Sequence, residues 1–243
     1  MFPIIPGFAA ATSLLVLPEG TGPYPTLQAA LSVAADGDTI LLGNGIFSGA
    51  ENHNLQLENM SLTIRSQSGD PLACQVDVGG STPQSGRFLL CSGGPDHEVT
   101  VEGLTLRNGF SYQPGGSVSS MGLHLLLRDC RLLDNFCDGY EIGGGAVVQA
   151  GGSLTLEDCL FQNNESHALP GQGPSGGAVS CYEAEVIIQD CHFVGNFAPG
   201  AFDSGGEGGA IYVTGGSLQL DNSEFLSNSV GGSIMASSYG GAI

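Results

Sequence analysis

Along most of this chain hydrophobic and polar residues alternate in short runs. Leu154 and Leu156, then Cys159 and Phe161, are apolar among polar neighbours, and Val186, Ile188, Cys191 and Phe193 repeat the arrangement. Alternation with a period of two, rich in β-branched and aromatic residues, predicts strands and not helices. The runs are bounded by Gly pairs and by Asn, residues that accept the positive φ of a tight corner. The pattern also recurs at a fixed period, since one and the same step separates Ala146, Ala178, Ala210 and Ala242, Phe161, Phe193 and Phe225, and Asn164, Asn196 and Asn228. One copy earlier, Cys130 and Asn135 precede Cys159 and Asn164 by a slightly shorter step, the difference being confined to one loop.

A unit this short cannot bury its apolar side alone, so successive units must stack. The prediction is an all-β right-handed parallel β-helix, a single-stranded solenoid of roughly eight coils with three short strands and two or three corners per coil. Equivalent residues would then lie about 4.8 Å apart, giving a rod about 40 Å long. Aliphatic, Phe and Cys positions form internal columns, and Asn135, Asn164, Asn196 and Asn228 form a corner ladder linked through their side-chain amides. Weaker copies, "DTILLGNGIF", "NLQLENMSLTIRS", "GRFLLCS" and "EVTVEGLTLRNG", extend the pattern toward the N-terminus.

One stretch breaks the alternation. In "YPTLQAALSVAADGD" the apolar residues Leu27, Ala30, Leu31 and Ala34 fall on one helical face, with Thr26 placed as an N-cap. This predicts a short helix over about 26–35 that covers the open end of the first coil. Residues 18–243 then form one elongated domain. The apolar residues 1–17 are too short and too broken by Pro to span a bilayer and read as the remnant of a secretory signal. The final "GGAI" starts a further coil, so the end is expected to be uncapped, the parent chain to continue beyond 243, and end-to-end self-association to be open to it.

Charge narrows the partners. The net charge is −19, from 24 acidic residues against five Arg and no Lys. Nucleic acid and anionic membranes are poor partners for such a surface, which suits a soluble extracellular or cell-surface protein. The seven Cys give no even disulfide framework and no CxxC pair. Cys130, Cys159 and Cys191 read as small buried fillers in one inward column continued by Ser223. Cys74 and Cys91 could pair as a disulfide between neighbouring coils.

The repeated GGA[IV] and FxxN motifs, as in Gly144-Gly145-Ala146-Val147 and Phe161 to Asn164, resemble the repeats of chlamydial polymorphic outer membrane proteins and related bacterial surface proteins. The opening "YPTLQAALSVAADGDTILLGNGIF" and "VTVEGLTLRNG" resemble the first coils of secreted proteins with a pectin-lyase-like fold. That resemblance implies the fold from Tyr24 onward. For function it implies a range, because the fold carries lyases, hydrolases, epimerases, adhesins and passengers.

The residues themselves offer little chemistry. Lyases of this kind use a carboxylate cluster for Ca²⁺ and an Arg or Lys base; here Asp129, Asp158 and Asp190, followed by Asn222, stack at equivalent positions, with Arg128 and Arg131 nearby in sequence. A calcium ladder is one reading, and solvated corner acids bonded to local backbone the other. Asp96 and His97 in "GPDHEV" read as an ordinary turn. The GxSxG match at Gly173 to Gly177 and the GxGxxG match at Gly171 to Gly176 are not followed by helices. No catalytic set, cofactor motif or His pair at metal-ligand spacing emerges.

Function is therefore expected in the segments 165–175, 197–207 and 229–239, which leave the same edge of three successive coils and suit a protein or glycan partner. Phe197, Phe202, Met235 and Tyr239 could supply contacts there. The principal expectation is a secreted or surface scaffold that binds through those edges. The alternative is a polysaccharide-active lyase or hydrolase of the same fold.

Overall fold

The structure is a computed structural model and describes residues 11–79, 86–139, 143–168, 176–199, 207–231 and 243. It is a parallel β-solenoid of about seven turns. In chain order a turn visits a first, a second and a fourth face, and from Phe110 onward a third face between the second and the fourth. Among the described residues the four sheets hold eight, seven, five and six strands, with at most one strand per turn in each. The described strands pair in parallel and in register between turns, as in Leu125↔Leu154 and Leu154↔Val186 on the first face, and an isolated antiparallel bridge joins Gly86 to Phe110.

The expectation of three strands per coil is corrected. From Phe110 onward each turn adds a strand on the third face: Phe110–Ser111, Phe136–Gly139, Glu165–Ala168, Phe197–Pro199 and Ser229–Gly231. The cause is that alternation continues past the ladder Asn. Cys137, Ser166 and Ala198 are buried two residues after it, which leaves the residues on either side to face outward. The edge segments beginning at 165, 197 and 229 thus start as strands, while 169–175, 200–206 and 232–239, with Phe202, Met235 and Tyr239, lie outside the described residues, as do the motif matches within 171–175.

Local residue chemistry explains the corners. Between first and second faces the turn is made by Gly103, Asp129, Asp158, Asp190 and Asn222, all with φ between 44° and 65°. Asp and Asn tolerate this region better than other side chains. At the Gly-Gly-Ala corner the second glycine of each turn lies against the next: a Cβ on Gly145 would collide with Gly177 O and come within 2.6 Å of Glu165 N. Backbones this close leave no room for a side chain, and the pair of glycines repeats for that reason.

Inside, like residues stack. The rings of Phe161, Phe193 and Phe225 lie parallel at centroid distances of 4.8 and 4.9 Å. Asn135, Asn164 and Asn196 are fully buried, and each donates from Nδ2 both to the preceding turn (Asn164 to Leu132 O, 2.9 Å) and to the next Asn Oδ1 (Asn164 to Asn196, 3.0 Å). Buried amides are tolerable only when satisfied in this way.

The cap is shorter than the sequence suggests. Helix α1 spans Leu27–Leu31, with the Thr26 side chain accepting from Ala29 N, and Leu27, Ala30 and Leu31 are buried. Beyond it the bonds become i→i−3, Val33 N to Ala30 O and Ala34 N to Leu31 O, and the Asp38 carboxylate takes Ala35 N at 2.9 Å. The domain also starts earlier than residue 18: Ser13–Val16 pairs in register with Thr39–Leu42, with Leu14 and Val16 buried. Residues 11–17 therefore belong to the solenoid, because Leu14 and Val16 supply an inward column that the first turn needs. No described helix is long and apolar enough to cross a membrane.

All seven cysteines are free and buried. Cys74 lies on the second face and Cys91 on the fourth, so the suggested disulfide is not formed; Cys74 Sγ instead contacts Gly43 O at 3.5 Å. Cys130, Cys159 and Cys191 do share an inward column, and Ser223 Oγ accepts from Cys191 N at 3.1 Å.

Candidate functional site

Two outer columns could do chemistry. The first is the corner acids. Asp129, Asp158 and Asp190 each donate their backbone N–H to the next turn, to Glu157 O (3.0 Å), Gln189 O (3.1 Å) and Asp221 O (3.2 Å). Asn222 Nδ2 donates to Asp190 Oδ1. One carboxylate per turn gives a line and not a cage; among the described residues no group of three or more His, Cys, Asp or Glu side chains is placed to hold a metal ion.

The nearby arginines are engaged or turned away. Arg128 Nε is 2.6 Å from Glu157 Oε2, which holds the guanidinium pKa above its ordinary value, and the Glu102 carboxylate on the neighbouring strand adds to this. Arg131 lies on the second face, in register with Thr105 and Leu160. Of the site residues weighed from sequence for lyase chemistry, Asp158, Asp190 and Asn222 line one open cavity of about 710 Å³ with His192 and Glu224, but they do not converge on an arginine or form a metal cage. Asp96 and His97 form a turn, His97 N donating to Gly94 O at 3.1 Å.

The second column runs along the third face, and sequence reading missed most of it. Phe110 pairs with Phe136, Phe136 with Glu165, Glu165 with Phe197, and Phe197 with Ser229. Phe110 and Phe136 stack at 5.4 Å and 21°, Tyr112 meets Phe110 edge-on at 4.9 Å, and His167 meets Phe136 edge-on at 4.7 Å. Phe110 is buried beneath its neighbours, Phe136 and Phe197 are half-buried, and Tyr112 is 38% exposed. His167 Nε2 bonds Glu165 Oε1, and Asp138 stands in register with His167. The signal was present in sequence, since Phe110, Phe136 and Phe197 each directly follow the ladder position at Gly109, Asn135 and Asn196. It was obscured because that position looked like the start of a loop.

At the N-terminal end of this face sits Arg87. Its Nη1 donates to Pro114 O (2.8 Å) and its Nη2 to Ser111 Oγ (2.5 Å), and burial lowers its pKa. The inward side of the face is closed by Cys137, whose thiol burial pushes up to about 11, so it stays protonated and unreactive at neutral pH.

A family model described as a right-handed β-helix region matches residues 90–240, the part of the chain where Gly-Gly, Phe and Asn positions repeat most regularly. The chain belongs to the right-handed β-helix family. No curated protein matches it. Membership fixes the hand of the solenoid, and the pectin-lyase-like fold is consistent with it. For a right-handed β-helix, chemistry is set by outer columns and by the connections between faces and not by the fold.

Proposed function

We propose that this β-helix is a rigid scaffold, exposed outside the cell, that binds a partner along the third face and the edge where that face gives way to the fourth. The observation that carries the reading is positional. In successive turns the third-face strands Phe136–Gly139, Glu165–Ala168, Phe197–Pro199 and Ser229–Gly231 stack in parallel while the residue at one and the same register position changes from Phe136 to Glu165, Phe197 and Ser229. Regular inward columns hold the frame while outward positions of the third face vary from turn to turn, which suits recognition of a protein or glycan. The strongly acidic surface supports an extracellular setting. The buried thiols are shielded from oxidants in either compartment.

The experiment that tests this against polysaccharide cleavage is a screen of acidic and neutral polysaccharides for released unsaturated or reducing ends, run with and without millimolar Ca²⁺. A scaffold releases none, and its thermal unfolding midpoint does not respond to Ca²⁺. Calcium-dependent product release, abolished by Asp158→Asn or Asp190→Asn, would establish an enzyme instead.

A further inference from the structure

We propose that the outer side of the third face binds a cationic, arginine- or lysine-rich segment of a partner protein, seated across Tyr112, Phe136 and Phe197 with its charges on Asp138 and Glu165. The inference rests on the scaffold reading above and names the partner's chemistry. Phe136 is stacked on Phe110 and meets His167 edge-on, so the file offers the aliphatic stem of an Arg or Lys an apolar strip to lie along, with the exposed Tyr112 ring beside it. Glu165 lies in register between Phe136 and Phe197, so a carboxylate stands one strand spacing, about 4.8 Å, from each ring position. Asp138 adds a second carboxylate beside the file, and Glu165 is 39% exposed.

Charge complementarity selects the ligand. With a net charge of −19 and no Lys, the whole surface attracts cations at long range and repels uronate, sulfate and phosphate polymers. Among the described residues of this face the Arg and His side chains are hydrogen-bonded, Arg87 to Pro114 O and Ser111 Oγ and His167 to Glu165. A neutral glycan could pack on the rings, but it would gain nothing from the negative potential around Asp138 and Glu165.

The test is fluorescence anisotropy of a labelled oligoarginine peptide titrated with the full chain, at low and at physiological ionic strength. Phe136→Ala with Phe197→Ala, and separately Asp138→Asn with Glu165→Gln, should each weaken binding about five- to tenfold. Glu98→Gln with Glu185→Gln removes the same charge from the outer side of the first face and should change it less than about twofold. The Asp138→Asn and Glu165→Gln pair alters no packing, so it reports even where the ring variant is poorly folded. Equal weakening by the first-face and third-face charge variants, or no binding at low ionic strength, overturns the proposal. Binding of a neutral oligosaccharide that is lost with Phe136→Ala and Phe197→Ala would overturn the cationic assignment and keep the scaffold. Release of sugar ends would overturn the scaffold reading itself.

Discussion

Asn164 is joined to Asn196 twice: its backbone N–H and its Nδ2 both donate to Oδ1 of Asn196, each at 3.0 Å. The same pair of bonds joins Asn135 to Asn164 at 3.1 and 3.0 Å, and Asn196 to Asn228 at 2.9 and 2.8 Å. One amide oxygen thus satisfies the corner N–H and the side chain of the turn before it. Truncating a middle rung leaves several buried groups unpaired at once.

Asn164→Ala should therefore cost about 3–5 kcal/mol, beyond the usual value for a single neutral hydrogen bond, because Asn135 N, Leu132 O and Asn196 Oδ1 all lose a partner. The drop in urea midpoint at unchanged m-value measures it. A loss below about 1 kcal/mol would mean that water or a relaxed corner replaces the rung.

Gly145→Ala should abolish the folded state or lower its melting temperature steeply, since the new methyl collides with the backbone at Gly177 and Glu165 and neither can yield without parting two turns. Gly94→Ala, where nothing lies within 4 Å of the added Cβ, is the control and should stay within about 0.5 kcal/mol of the parent. Circular dichroism melts of the pair distinguish close backbone approach from a generic cost of losing glycine.

Asp38 ties the first strand to the cap. Its carboxylate accepts from Ala35 N at 2.9 Å and Thr12 N at 2.7 Å, and these bonds lower its pKa below the ordinary carboxylate value. The unfolded chain binds the proton more readily, so this contribution is fully present above the unfolded pKa, about 4, and is lost as pH falls through the lower folded value. Melting temperature should decline below about pH 4, and Asp38→Asn should flatten part of that decline.

The thiols should be inert until the protein unfolds. Burial pushes Cys74, Cys91 and Cys137 up to about 11 and Cys181 up to about 12. At pH 8 iodoacetamide should label none of the seven in the native chain and all seven in guanidinium, as counted by intact mass. Because Cys74, Cys91, Cys137 and Cys181 ionise first in the unfolded chain, their contribution to stability should fall as pH rises from the unfolded value, about 8.5, toward the folded ones.

The sequence by itself determined the solenoid, its period and its interior. Whether Phe193 or Cys159 faces inward depends on local alternation, and superposition of successive units follows once a unit too small to bury itself must stack, so Phe161 on Phe193 and Asn164 on Asn196 were legible at once. The corner Asp column was legible too, in its position though not in its failure to converge. Only the tertiary structure decided the rest. The third face exists because strands from Phe110 to Ser229 hydrogen-bond between turns, a pairing that local propensity leaves indistinguishable from a loop. The same register places Cys74 and Cys91 on different faces, and Asp38 competes for Ala35 N to end α1 early. The file of Phe136, Glu165 and Phe197 became visible in the same way: its members come from successive turns, far apart along the chain, and meet only through backbone register between those turns.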